Sequence, residues 1–263
     1  MNANKVILAA HRGDRLKFPE NTMPAFLSAI ENGCDMIETD VRLTKDGELV
    51  IIHDRSAKRT AQADVNIDEL TLSEVKELDA GAMFGDCFKG TKVPTAREFI
   101  TLAKSANILV NWELKVYPQD FGDDIAFKTA DLLIDLIDEF DFAKNSMINS
   151  FSARVLEYIF KKCGNKFLYH GQGIHNCRRS YDTTEIDETE IFNWCCLYPN
   201  EKGKKPTDYK ENFDFCLENN ILPCICVEDN LEIYKKALDY GCRMFTSNNI
   251  FEADKILKAL GVR

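Results

Sequence analysis

The stretch MIETDVRLTKDGELVIIHD, residues 36–54, holds the pattern on which the fold prediction rests. It contains a candidate strand at 36–41, a turn signal at Lys45-Asp46-Gly47 and a second candidate strand at 49–53. Both segments have the length and the β-branched residues typical of strands. The link between them is too short for a helix, so we expect a hairpin or a bare connection here.

Outside this stretch, short apolar runs alternate with amphipathic segments along the whole chain. The predicted strands are 6–10, 36–41, 49–53, 108–114, 146–151, 166–170, 191–197, 222–227 and 243–246. The predicted helices are 22–32, 125–140, 152–163, 230–240 and 250–260. Such alternation is typical of α/β folds with a parallel sheet, and 263 residues is close to the ~250 of a (β/α)₈ barrel. Nine predicted strands for eight barrel positions mean that one strand is extra.

The chain is interpreted as a single domain, 1–263, with a small insertion at 54–94 after the third strand. That segment separates two predicted strands by about 40 residues, which is long for a βα connection. It contains the capping-box pattern Thr71-Leu72-Ser73-Glu74, which predicts a helix start. We expect the segment to fold over the top of the barrel.

Charge and composition exclude several classes of protein. The formal net charge of −10 disfavours nucleic acid as a partner, because phosphate backbones require a basic surface. No apolar run approaches the ~18 residues of a membrane span. The ten cysteines lie mostly in apolar segments and lack the C-x-x-C spacing of zinc sites, so we expect reduced, buried thiols. A cytoplasmic enzyme with a small-molecule substrate is the simplest interpretation.

Polar and charged side chains follow several of the predicted strands. They are His11 and Arg12, Glu38 and Asp40, His53 and Asp54, and Glu113 and Lys115. Residues two apart on a strand point to the same side, and a barrel gathers its strand ends at one face. Burying so many ionisable groups is costly unless they meet a ligand. The pattern therefore predicts a functional site at the strand ends.

The residue types indicate which chemistry this site performs. Three carboxylates, from Glu38, Asp40 and Glu113, suit a hard divalent cation, Mg²⁺ or Ca²⁺. Arg12 and Lys115 suit a phosphate group. Histidines transfer protons near neutral pH. Metal-assisted cleavage of a phosphoester is the reaction that unites these groups.

The motifs also resemble those of a known family, the glycerophosphodiester phosphodiesterases. The matching segments are AHRG (10–13), PENT (19–22), G-x-D-x-I-E-T-D-V (33–41), TKDG (44–47), V-x-x-HD (50–54), KVPT (92–95), WELK (112–115) and NSF (149–151). The resemblance covers essentially the whole chain and is most specific over the first 54 residues. It weakens near the carboxyl terminus, where Ile225-Cys226-Val227-Glu228 replaces a Trp-Thr-Val-Asn-like segment.

The resemblance implies a distorted TIM barrel that hydrolyses glycerophosphodiesters to an alcohol and sn-glycerol 3-phosphate. It implies that Glu38, Asp40 and Glu113 hold one divalent metal and that His11 and His53 are the acid–base pair. Which histidine is the acid stays open. Two alternatives remain: cleavage of lysophospholipids by a lysophospholipase D-type reaction, and a non-catalytic barrel that binds phosphorylated ligands.

Other polar and aromatic residues are given structural interpretations. Asp54 is expected to support its loop and not to bind metal. His170 and His175, in HGQGIH, are expected to lie in an ordinary loop. The aromatic residues of the later strands, Phe151, Trp194 and Tyr198, are expected to lie in the core more than in the site.

Overall fold

The hairpin predicted at 36–54 is present in the computed structural model, which describes residues 6–174, 180–199 and 201–263. Strand β2, Met36–Leu43, pairs antiparallel with β3, Leu49–Ile51. The Gly47 amide donates to the Thr44 carbonyl at 3.0 Å and closes the turn. β3 is therefore the extra strand, placed beside the barrel and not within it.

Eight parallel strands form the closed barrel. Besides β2 they are β1 (Ile7–His11), β4 (Leu109–Leu114), β5 (Ser146–Asn149), β6 (Leu168–Gln172), β7 (Trp194–Cys196), β8 (Leu222–Cys226) and β9 (Met244–Ser247). Their order is β1-β9-β8-β7-β6-β5-β4-β2, and pairing of β1 with β2 closes the ring. At that seam His11 lies opposite Glu38. The α/β barrel prediction is confirmed.

Helices connect the strands and cover the outside of the barrel. They are α1 (Met23–Glu31), α2 (Lys58–Ala61), α3 (Leu72–Glu77), α4 (Ala96–Ser105), α5 (Pro118–Phe121), α6 (Asp123–Glu139), α7 (Ala153–Cys163), α8 (Glu188–Ile191), α9 (Lys210–Glu218), α10 (Leu231–Asp239) and α11 (Ile250–Ala259). The five predicted helices correspond to α1, α6, α7, α10 and α11. α4 was not predicted, although Thr95 and Glu98 form the same capping box that identified α3 at Thr71.

The interior of the barrel has an apolar layer below a polar layer. The apolar layer consists of Ile7, Ala9, Met36, Met147, Trp194, Cys196, Cys224 and Met244. Two residues farther along these strands, on the same face, the side chains become polar: His11 follows Ala9, Glu38 follows Met36, Asn149 follows Met147 and Thr246 follows Met244. The polar layer lies at the carboxyl ends of the strands, where barrel enzymes build their sites. Trp194 lies in the core, as expected.

Two predictions for the later strands are wrong. β6 extends to Gln172, so His170 is a buried strand residue and not a loop residue. The strand predicted at 191–197 is limited to Trp194–Cys196, because α8 continues to Ile191. His175 lies outside the described residues.

The segment 54–94 builds a small apolar cluster of its own. Helices α2 and α3 contribute Ala61 and Val75, which pack with Val50 and Ile52 from the end of the hairpin. The division of the chain into one domain, 1–263, with an insertion at 54–94 stays a prediction. No helix in the described ranges has both the length and the apolar composition that crossing a bilayer demands.

The turn after β1 depends on close contact between two backbones. Gly13 has φ +82°, and a Cβ there would lie 2.7 Å from the Ala25 carbonyl carbon in α1. We predict that Gly13→Ala lowers the free energy of unfolding in denaturant titrations. Left-handed strain costs an alanine about 1–2 kcal/mol, and overpacking adds about 1–3 kcal/mol.

Gly90 provides the matched control, since it has φ +86° but nothing within 4 Å of a built Cβ. Gly90→Ala should lose only the conformational part. Equal losses in the two variants would show that the contact with Ala25 contributes nothing.

Candidate active site

Three buried carboxylates lie together at the carboxyl ends of β2 and β4. Glu38, Asp40 and Glu113 each place a carboxylate oxygen within 4.8 Å of the other two. Glu38 and Asp40 share the inner face of β2, and Glu113 pairs in register with Asp40 from the adjacent β4. The Glu38 Oε1 atom is buried and has no hydrogen-bond partner. The predicted acidic cluster therefore exists. Asp40 Oδ1 and Glu113 Oε1 also lack a hydrogen bond, but both face Lys115 Nζ. Glu38 Oε1 is thus the oxygen with neither a hydrogen bond nor an ion pair to a described residue.

Two cations neutralise part of this charge. Lys115 Nζ lies 3.3 Å from Asp40 Oδ1 and also contacts Glu113. Arg12 Nε lies 3.2 Å from Asp40 Oδ2. Three carboxylates thus meet two cations, which leaves one negative charge without a partner. The residues present fit a cation at this position.

The pKa values of the carboxyl groups reflect this imbalance. Burial alone would raise the pKa of Asp40, but the charges of Lys115 and Arg12 outweigh it and hold that pKa below its usual range. Burial, followed by repulsion from Asp40 and Glu113, raises the pKa of Glu38 well above its usual value. Glu38 is therefore the carboxylate that most needs a bound proton or a metal ion.

Arg12 is held in position by its backbone as well as by its side chain. Its φ of 59° lies in the left-handed region, which is rare for residues other than glycine and often marks functional sites. Its amide donates to the Glu38 carbonyl at 2.9 Å. Its Nη1 donates to Glu20 Oε1 at 2.9 Å. These contacts direct the guanidinium toward the acidic cluster.

His11 lies between the acidic cluster and the last loop of the barrel. Its Nδ1 lies 2.7 Å from Asn248 Oδ1, and its Nε2 lies 3.9 Å from Glu38 Oε2. Burial, reinforced by the charge of Arg12, lowers the pKa of His11 to about 3. In this arrangement the ring is neutral, with Nε2 next to the carboxylates.

His53 follows the hairpin and has a different partner. Its Nδ1 lies 2.6 Å from Asp54 Oδ1, and Asp54 in turn accepts from Arg59. Burial lowers the pKa of His53 although Asp40 opposes the shift. Burial would raise the pKa of Asp54, but hydrogen bonds from Arg59 and His53 lower it to about 2. Asp54 orients His53 and is not part of the acidic cluster.

These groups surround one cavity of about 180 Å³. The cavity is lined by His11, Arg12, Glu38, His53, Asn111, Glu113, Lys115, Asn149, Phe151, His170, Gln172, Cys196, Tyr198, Cys226 and Thr246. The remaining predicted site residue, Asp40, contacts Arg12 and Lys115 beneath it. A larger hollow of about 410 Å³ near Thr184 has neither a histidine nor a basic side chain among the described residues that line it. The ionisable groups thus converge on the smaller cavity.

Part of the cavity wall was not predicted from the sequence. Phe151 and Tyr198 line the cavity, although both were expected in the core; Tyr198 also packs against the apolar layer, whereas Phe151 does not. Phe151 places its ring 5.2 Å from Lys115 Nζ. Tyr198 donates to Gln172, and Gln172 donates to Asn149 at 2.8 Å. The two-residue alternation beyond the apolar layer could have identified these positions.

Comparison with known proteins agrees with this geometry. The model of the glycerophosphoryl diester phosphodiesterase family matches residues 11–170, which include every predicted site residue. A glycerophosphodiester phosphodiesterase from Caldanaerobacter subterraneus subsp. tengcongensis is 41% identical over 152 residues, 56% of this chain and 59% of that protein. One from Bacillus altitudinis is 39% identical over 107 residues, 40% of this chain and 44% of that protein. The matched stretches thus span about half the length of these relatives.

Solved structures share the fold over nearly the full chain. A phosphodiesterase from Oleispira antarctica, in complex with the product sn-glycerol-3-phosphate, superimposes with a TM-score of 0.80 at 20% identity and covers 96% of both chains. A glycerophosphodiester phosphodiesterase from Agrobacterium tumefaciens gives a TM-score of 0.75 at 20% identity, covering 94% of this chain and 99% of that one. Because the family model matches well over half of the residues, the chain belongs to the glycerophosphoryl diester phosphodiesterase family.

Proposed function

We propose that this protein hydrolyses glycerophosphodiesters to an alcohol and sn-glycerol 3-phosphate. The observation that supports this most strongly is the meeting of three carboxylates, two cations and two histidines around one 180 Å³ cavity. Relatives named as glycerophosphodiester phosphodiesterases match the part of the chain that supplies these groups. Nine described cysteines are thiols, which suits a reducing compartment such as the cytoplasm.

Glu38, Asp40 and Glu113 would hold one divalent cation, either Mg²⁺ or Ca²⁺. Oxygen ligands from carboxylates suit both ions. When bound, such an ion supplies positive charge to the phosphate oxygens and strengthens their attraction to this end of the barrel. The uncompensated charge and the unpartnered Glu38 Oε1 support this assignment.

Arg12 and Lys115 would bind the phosphate of the diester. Arg12 donates through a planar guanidinium that matches two phosphate oxygens, whereas Lys115 acts as a point charge. Both side chains contact Asp40 at the cavity. Each cationic group could exchange this contact for one with the substrate phosphate without leaving the cavity. Negative charge that develops on phosphate during cleavage would be stabilised by both groups.

His11 would act as the general base and His53 as the general acid. Burial, together with the charges of Arg12 and Arg15, lowers the pKa of His11, so its ring is neutral and can accept a proton at Nε2. The nucleophile that loses this proton is water or the 2-hydroxyl of the glycerol. Attack by the hydroxyl would expel the alcohol and leave a cyclic phosphodiester, which water would then open to give sn-glycerol 3-phosphate. Burial lowers the pKa of His53, and the Asp54 carboxylate partly offsets this shift and orients the ring that would donate its proton to the leaving alkoxide.

Cleavage of lysophospholipids is the second candidate, and one observation favours it. Met83 and Phe84, in the segment 54–94, are 54% and 41% exposed. They line a shallow hollow of about 220 Å³ together with Arg15 and Glu20, which contact the active-site residues His11 and Arg12. An acyl chain could lie against these apolar side chains.

The metal proposal predicts that Glu38→Gln changes the melting temperature in opposite directions in the metal-free and the metal-bound protein. With a chelator, the variant should melt at a higher temperature than the wild type, because one of three repelling carboxylates is gone. With excess Mg²⁺ or Ca²⁺ the order should reverse, since an ion at 100 times its dissociation constant stabilises the wild type by about 2.7 kcal/mol.

Glu157→Gln is the matched control, because Glu157 is a buried carboxylate that accepts from the amides of 185 and 186. It should respond to the cation as the wild type does. If Glu38→Gln gained as much from the cation as the wild type, the metal assignment would be wrong.

The acid–base assignment predicts a dependence on the leaving group. His11→Ala and His53→Ala should each lower turnover of an alkyl diester by roughly 10²–10⁴-fold. A p-nitrophenyl diester of glycerol phosphate needs no acid, because its leaving group is a weak base. His53→Ala should therefore recover most of its rate with this substrate, whereas His11→Ala should not. Recovery in His11→Ala alone would reverse the two roles.

The substrate proposal predicts a preference for small, water-soluble diesters. Release of choline or ethanolamine, the product common to both reactions, should be faster from glycerophosphocholine and glycerophosphoethanolamine than from the corresponding lysophospholipids, as measured by kcat/KM. An acyl site would show kcat/KM rising with chain length, because each buried CH₂ contributes ~0.8 kcal/mol. A rise that is abolished in the double variant Met83→Ser, Phe84→Ser would establish the lysophospholipid reaction instead.

A further inference from the structure

A second group of metal-ligating side chains lies in the barrel, apart from the carboxylates. It consists of His170 on β6, Cys196 on β7 and Cys224 on β8, all of them buried. Each places one ligand atom within 4.8 Å of the other two. His170 Nε2 lies 3.2 Å from Cys224 Sγ. Neither the proposed reaction nor the carboxylate metal site uses these three residues.

From this geometry we propose that His170, Cys196 and Cys224 form a site for one thiophilic divalent ion of the Zn²⁺ class. An imidazole nitrogen and two thiolate sulfurs are ligands that Zn²⁺ prefers and that Mg²⁺ and Ca²⁺ avoid. Three ligands from three consecutive strands hold the ion without help from a loop. The cavity that His170 and Cys196 line supplies the fourth coordination position.

The register of the sheet brings the three side chains together. Cys196 and Cys224 are directly opposed on neighbouring parallel strands, and Gln172, two residues beyond His170, is opposed to Cys196. All three residues point to the barrel interior, whereas Cys195, which precedes Cys196 on β7, packs into the outer core. A C-x-x-C spacing is absent from the sequence because the ligands come from separate strands.

Asn111 gives independent support for the site. Its side chain is fully buried, its Nδ2 lies 2.8 Å from His170 Nδ1, and its Oδ1 has no hydrogen-bond partner. In this orientation the amide donates to Nδ1, and the ring proton stays on Nε2, next to Cys224. Turning the amide by 180° lets Oδ1 accept a proton from Nδ1 and frees Nε2 to bind an ion. Metal-binding histidines usually donate their other ring nitrogen to such an oxygen.

The charge balance is favourable in a buried position. Binding one divalent ion releases one proton from each of the two thiols, so the ion and its two thiolates are neutral together. Burial of such a neutral group avoids the cost of an isolated charge. The cavity would thus hold a hard ion on carboxylates and a soft ion on sulfur and imidazole, with no shared ligand.

The test is a Co²⁺ titration of the full chain, reduced, stripped with a chelator and kept in excess Mg²⁺. Cobalt bound to thiolate gives a charge-transfer absorption that carboxylate sites do not produce. We expect one equivalent of Co²⁺ to develop this absorption and Zn²⁺ to remove it. Cys196→Ala and Cys224→Ser should lose the absorption, whereas Cys195→Ala should retain it. Circular dichroism and melting would establish that each variant is folded.

Three further variants make the proposal specific. Asn111→Leu should weaken Co²⁺ binding by roughly 10–100-fold, whereas Asn111→Asp, which keeps an acceptor oxygen, should not. Glu113→Gln should leave the absorption intact, which separates this site from the carboxylate site and from the proposed reaction. Absence of the absorption in the wild type, or its persistence in folded Cys196→Ala and Cys224→Ser, would overturn the proposal.

Discussion

The two-residue period of the barrel strands is the constraint on which the site depends. Every second side chain of a barrel strand points inward. When one inward residue belongs to the apolar core, the inward residue two positions later lies one layer closer to the carboxyl end of the strand, where the site is. Met36 and Glu38 are such a pair, as are Ala9 and His11. The apolar core and the site are therefore adjacent layers of side chains from the same strands, and a shift of one strand along its axis would displace residues in both layers.

Repulsion between carboxylates is concentrated in the polar layer, at the carboxyl ends of the strands. Isolated buried charges are strongly unfavourable, and this protein places Glu38, Asp40 and Glu113 side by side with only Arg12 and Lys115 to offset them. Packing in the rest of the barrel offsets the unfavourable free energy of this arrangement. A region of poor local stability is what a binding site requires, because a ligand of the opposite charge then gains more from binding than it would at a relaxed surface.

Much of the fold and the centre of the site could be predicted from the sequence, because both follow short-range rules. The hairpin at 36–54 was predicted from its turn residues, and the helices were predicted from their capping residues and from the spacing of their apolar residues. Residues grouped on single strands, such as Glu38 with Asp40, were found together for the same reason. The contribution of later strands was not found, since Asn111, His170 and Cys224 meet only through the register of separate strands. No local pattern marked these three residues, whereas Glu113, whose partners are also distant in sequence, was marked by Lys115 two positions farther along the chain.

The hydrogen bond between His11 and Asn248 joins residues that are 237 positions apart. During synthesis the ribosome makes the residue that orients the His11 ring 237 positions after His11, and well after all of the predicted acidic and basic residues. β9, which flanks β1, is made after all the other strands of the barrel. A nascent chain that still lacks this strand has an open seam beside His11 and an imidazole without its partner. Appearance of enzymatic activity would therefore report completion of the barrel, later than any signal from the amino-terminal hairpin.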